Sequence, residues 1–181
     1  AKELQNQILE DANTQAASIV ENANTQAATT ISSANAQADA TIKNGTIEAV
    51  QRCVDTRKAV ELTLTDLTLV ADNYVSAYGN PQPLTIGGSE NGTKVTLTNV
   101  NISSKAGYGI ITFVKTDLTA TDSTISGYSV LYVKAGSDNS TFNFVNCDLT
   151  GNIGSNDVEG NSFAAIAICA DKVKVYVDAN S

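Results

Sequence analysis

The chain has 181 residues and a formal net charge of -8, from 11 Lys and Arg against 19 Asp and Glu. That length supports one domain with a substantial core, and that charge argues against nucleic acid as a partner, since phosphates would go unneutralised. Histidine, tryptophan and methionine are absent, which removes the usual general base near neutral pH, the Ser-His-Asp arrangement and most zinc sites.

Residue 1 is alanine, and no charged segment followed by an apolar run marks a leader, so a processed chain or a piece of a longer one is expected. The longest apolar run, Phe163 to Ala170, is far below a membrane span. Three cysteines, Cys53, Cys147 and Cys169, form no C-x-x-C pair, which speaks against a structural zinc or iron-sulphur site. One disulfide with one free thiol and three unpaired residues both remain open.

An 11-residue repeat begins at Leu9: LEDANTQAASI, VENANTQAATT, ISSANAQADAT. Its apolar members, Leu9, Ala12, Ala16, Val20, Ala23, Ala27, Ile31, Ala34, Ala38 and Ile42, recur at spacings of 3, 4 and 4. Three helical turns of 3.67 residues keep such side chains on one stripe, so a long Ala-rich helix is expected over about 2–41. Alanine buries little area and Asn, Thr and Ser weaken helicity, so this helix needs a partner. Copies of itself in a coiled coil and the body of its own chain are both candidates. Asn44-Gly45 suits the helix end, because both residues tolerate left-handed backbone.

From residue 40 the period changes. ATIKNGTIEA (40–49), LTLTDLTLVA (62–71), VTLTNVNISS (95–104), LTATDSTISG (118–127) and FNFVNCDLTG (142–151) align, with VKVYVDAN (173–180) as a partial sixth. Each alternates apolar and polar residues, breaks once at Asn44, Asp66, Asn99, Asp122 or Asn146, and then resumes. Alternation reads as strand, and Asn and Asp suit a bend. First positions lie 22, 33, 23, 24 and 31 residues apart. A second repeated strand aligns GYGIITF (107–113), GYSVLYV (127–133) and SFAAIAI (162–168), with Ile111, Leu131 and Ile166 in one position.

Successive strands stacked in register describe a solenoid. The pattern over about 40–180 resembles the right-handed parallel beta-helix proteins of the pectate-lyase-like superfamily, above all their Thr- and Asn-rich bacterial surface members. That resemblance implies a mostly β fold, a short right-handed parallel β-helix over 44–181; the helix expected from the 11-residue period (1–43) precedes it, as a coiled-coil segment or as a cap on its open end. A β-sandwich is the alternative, but nothing in a sandwich requires the repeated Asn/Asp position.

Enzymes of that superfamily use aspartates with nearby arginine or lysine, so Arg52, Asp55 and Arg57 are the catalytic candidates the resemblance implies; a charged connection explains them equally. Asp157 and Glu159, in the loop GNIGSNDVEGNS (151–162), are candidate calcium ligands, although the helix-loop-helix spacing is missing. No cofactor is indicated. The outward pairs Thr63/Thr65, Thr96/Thr98 and Thr119/Thr121 would form a two-column array with rows about 4.8 Å apart, a candidate binding face. Tyr108, Tyr128 and Tyr132 are the aromatics best placed for sugar stacking, with packing an equal reading for the first two. The expected role is a non-catalytic adhesive or structural module, extracellular or at the cell surface, meeting a glycan or protein. Carbohydrate binding or cleavage and, further off, ice binding are the alternatives.

Overall fold

Among the described residues thirteen strands carry the body, and the pairings between them are parallel. The computed structural model describes residues 13–26, 39–58, 61–72, 80–88, 92–151 and 164–181. Two compact units emerge, Ala1–Ala38 and Asp39–Ser181.

In the first unit a helix, α1, runs over residues 13–26. All of its residues are exposed, Ile19 at 68% and Val20 at 59%. The rest of the expected helix up to residue 38 lies outside the described residues. No described helix is long and apolar enough to cross a membrane.

The second unit opens with β1 (Asp39–Glu48), so residues 39–43 are strand rather than helix. The expected boundary after residue 43 therefore moves upstream, and the overlap between helical stripe and strand repeat resolves as strand. Asn44-Gly45 does not stop a helix. It kinks β1, with φ of 58° at Asn44 and 122° at Gly45.

The larger sheet takes β1, β3 (Glu61–Val70), β5 (Thr93–Ser103), β7 (Thr116–Thr121), β10 (Thr141–Val145) and β13 (Lys174–Val177) in that order. Beyond the kink β8 (Thr124–Ser126) pairs with β5, and β11 (Asp148–Thr150) with β8. The smaller sheet runs β2 (Val54–Thr56), β4 (Leu84–Ile86), β6 (Tyr108–Thr112), β9 (Ser129–Val133) and β12 (Ile166–Ile168). The chain visits the two sheets in turn, and each strand pairs with its counterpart from the previous pass.

Register follows the repeat through the first five segments: Ala40↔Leu62, Leu62↔Val95, Val95↔Leu118 and Leu118↔Phe142. The sixth segment sits two residues from its expected place, because Phe142 meets Val175 rather than Val173. Its evenly spaced valines satisfy both phases. In the smaller sheet Ile110, not Ile111, lies opposite Leu131, while Leu131↔Ile166 agrees with the expected alignment. Adjacent Ile110 and Ile111 offer two alternation phases, and a one-residue slip exchanges the faces of a strand. Phe113, aligned by that slip with core residue Val133, is 40% exposed.

Inward columns make the core. Leu64, Leu97, Ala120 and Phe144 stack in register, each at most 1% exposed. Small Ala120 leaves room between larger neighbours, as dense interior packing demands. Leu69, Ile102 and Ile125 form a second column beyond the kink, each at 0% exposure. Leu84, Ile86, Ile110, Leu131 and Val133 join the same core from the smaller sheet. At about 1.5–3 kcal/mol for each fully buried large aliphatic side chain, these columns are the main favourable term. Close approach also fixes one glycine: a Cβ at Gly107 would fall 2.0 Å from the Pro81 carbonyl oxygen.

Candidate functional site

The strand break is a backbone device. Asn44, Asp66, Asn99, Asp122 and Asn146 have φ between 52° and 58°. This left-handed region costs most L-residues roughly 1–2 kcal/mol and is tolerated best, after glycine, by Asn and Asp. Neighbours in the column also bond through their side chains. Asn99 Nδ2 donates to Asp66 Oδ1 at 2.7 Å, and Asn146 Nδ2 to Asp122 Oδ1 at 2.5 Å.

Just past the break the face turns concave. A groove of about 240 Å³ is lined by Asp66, Asn99 and Asp122 on one side and by Thr68, Asn101 and Thr124 on the other, with Leu67 and Val100 at its floor. Thr68, Asn101 and Thr124 were not among the expected site residues. Their signal was available, since they share the second position after the break and are polar in every segment.

Before the break lie the expected threonines. Thr63↔Thr96↔Thr119 and Thr65↔Thr98↔Thr121 are successive Cα partners, so three rows of two run across β3, β5 and β7. All six alternate with buried core residues and point to the other face of the sheet. Asn143 and Val145 make the next row. Tyr176 pairs with Asn143, whereas Lys174 pairs with Thr141, one position outside the array.

Asp55 stands at the centre of β2 and partners Thr85 in register. Its Oδ2 receives both guanidinium groups, Arg52 Nη1 at 3.0 Å and Arg57 Nη2 at 2.5 Å. The three candidates therefore do come together, as one ion-paired knot centred on a strand residue, with Arg52 and Arg57 just outside β2 on either side. None of them lines the groove. Asp157 and Glu159 lie outside the described residues.

Tyr108 and Tyr128 are buried, at 6% and 4% exposure, which excludes stacking on a sugar and leaves packing. Tyr132 is half-buried. Its ring centroid is 4.8 Å from that of Tyr108, and Lys134 Nζ sits 4.9 Å above it. Burial raises the pKa of both phenols; for Tyr108 a bond with the Asn80 side chain partly offsets it, and for Tyr132 the neighbouring Cys169 adds to it.

All three cysteines are free. Cys147 is buried in the stack, where its Sγ lies 3.4 Å from the Ala120 carbonyl oxygen, and Cys169 is exposed. Burial raises the pKa of half-buried Cys53, against the backbone bond it makes to Val70. Asp72 binds the next pass. Its carboxylate accepts from the Ser103 hydroxyl at 3.0 Å and the Lys105 backbone N–H at 3.1 Å, and meets Lys105 Nζ at 2.9 Å. Burial disfavours its charge, but these contacts together outweigh burial and hold its pKa below the usual carboxylate range.

No protein-family model, curated protein or solved structure matches the chain.

Proposed function

We propose that residues 39–181 form a short right-handed parallel β-helix that acts as a non-catalytic surface module, extracellular or at the cell surface. Its mechanism is the presentation of a rigid polar face to a glycan or protein. The observation that carries this reading is the register of Thr63, Thr96 and Thr119 beside Thr65, Thr98 and Thr121. Side chains held on paired strands lose little freedom on binding, so a fixed array recognises a repetitive partner at low entropic cost. Association of copies through the Ala16, Val20 and Ala23 stripe of α1 accompanies this reading.

Carbohydrate binding is the second reading, favoured by the groove. Asp66, Asn99, Asp122, Thr68, Asn101 and Thr124 offer the mixed donors and acceptors that sugar hydroxyls require. Cleavage is disfavoured because both arginines near Asp55 are engaged by that one carboxylate oxygen. Ice binding is disfavoured because the rows that follow Thr119/Thr121 lose threonine.

A glycan array and a polysaccharide-degradation screen, run with and without calcium, test these readings. Binding without oligosaccharide release is expected. Release of oligosaccharide would overturn the non-catalytic module.

A further inference from the structure

The groove past the break is built in rows. Thr68, Asn101 and Thr124 are successive Cα partners across β3, β5 and β8, and each lies two residues beyond Asp66, Asn99 or Asp122. Each pass therefore contributes one row of two polar side chains, about 4.8 Å from the next. Along these rows the break residue alternates: aspartate, asparagine, aspartate. The two carboxylates stand two rows, about 10 Å, apart.

No cation of the chain neutralises them. Asp66 and Asp122 each accept a neutral amide at Oδ1, from Asn99 and Asn146. Among the described residues, the carboxylates that meet a lysine or arginine are Asp55, Glu61 and Asp72. The second oxygen of Asp66 and of Asp122 is thus left to a ligand, as is Oδ1 of Asn99, whose amide is turned to Asp66. A metal ion does not answer this arrangement. A hard cation gathers six or so oxygens around one point, whereas these carboxylates are too far apart to share an ion, and no set of three acidic or thiol side chains able to hold one occurs among the described residues.

The rows call for a chain that brings one positive charge to every second row and hydroxyls to all of them. An extended β-1,4-linked glycan has that form. Each pyranose advances the chain by close to one strand spacing, and successive pyranoses alternate in face, so a given substituent recurs along one edge at every second residue. Uronic or sialic acids in that place would be repelled by the same carboxylates, and amines would be attracted.

We propose that the groove binds a linear β-1,4-linked amino sugar chain lying across the strands. Protonated amino groups of alternate residues meet Asp66 and Asp122, and ring hydroxyls meet Asn99, Asn101, Thr68 and Thr124. This inference rests on the carbohydrate reading of the groove given above and names the class of sugar.

Calorimetric titration of the full chain with a glucosamine hexasaccharide, at about pH 6 so that the amines are protonated, tests it. Binding is expected, and it should weaken as salt is raised. The fully N-acetylated hexasaccharide, which has lost both charges, is expected to bind about tenfold more weakly. Asp66→Asn and Asp122→Asn should each cost about two- to fivefold, the range of exposed ion pairs. Asparagine already occupies this left-handed position at residues 44, 99 and 146, so both variants keep the kink, and circular dichroism establishes that they are folded. An acetylated chain bound as tightly as the amine overturns the proposal and leaves the carbohydrate reading standing. Failure of both chains, together with a glycan array on which nothing binds, removes that reading as well. Binding that both aspartate variants leave unchanged, or hexalysine bound as tightly as the sugar, also overturns the proposal.

Discussion

Asn99 donates its side-chain amide to the Asp66 carboxylate across 2.7 Å, although the two residues are 33 apart in sequence. Both have left-handed backbone, so one residue type meets two demands: a kink that Asn tolerates, and a bond to the row before it. Asn99→Gly should keep the kink and lose the bond, costing about 1 kcal/mol. Asn99→Ala should lose both and cost about 2–3 kcal/mol. Urea denaturation at neutral pH checks the order, and an alanine variant as stable as the glycine variant would contradict it.

Core columns and outer columns should respond very differently to truncation. Leu97 is wholly buried between Leu64 and Ala120, so Leu97→Ala should cost about 3–5 kcal/mol. Thr96→Ala, one residue away on the other face, should change stability by no more than about 0.5 kcal/mol. Paired thermal melts decide this, and similar losses for both would place the sheet faces wrongly.

Acid should act on Asp72 in a defined direction. Its folded pKa lies below the ordinary carboxylate range, so its contribution is complete above the unfolded value and lost as pH falls through the folded one. Asp72→Asn should cost about 1 kcal/mol at neutral pH. The gap to the wild type should hold down to about pH 5 and close below about pH 4. Denaturant midpoints measured across that range supply the test, and a gap that widens on acidification would refute the assignment.

Thiol reactivity should rank the three cysteines. Cys169 is exposed, Cys53 is half-buried with a raised pKa, and Cys147 is 2% exposed. Only a thiolate attacks an alkylating reagent, so native protein should take up one equivalent quickly at Cys169, a second slowly at Cys53, and a third at Cys147 only after unfolding. Peptide mass mapping after timed iodoacetamide treatment distinguishes the sites. Rapid labelling of Cys147 in folded protein would be inconsistent with its place in the stack.

The larger sheet was legible in the sequence because each of its early segments carries two marks at once, period-two alternation and an Asn or Asp at a fixed place. The two together admit a single alignment, and Leu62, Val95, Leu118 and Phe142 fall on it. Segments lacking the second mark were misplaced. VKVYV has alternation and no break residue, so Val173 and Val175 were exchanged. Three-residue strands such as β2 and β4 are too short to show a period, which hid the role of Val54 and Leu84 in the smaller sheet. Thr68, Asn101 and Thr124 follow the break, where a polar residue at a fixed position marks an outward column but not the concavity that makes a groove.

Neighbouring partners in the larger sheet, such as Ala40 with Leu62 and Leu62 with Val95, are separated by chain stretches of very unequal length, yet the strands meet without a shift. Surplus residues are absorbed outside the strands. Gain or loss of a complete pass would therefore change the height of this unit by one inter-strand step, about 4.8 Å, and leave its cross-section alone. Homologues of different size should then differ by whole increments of height, and duplication of a single segment is the simplest route by which such a chain grows.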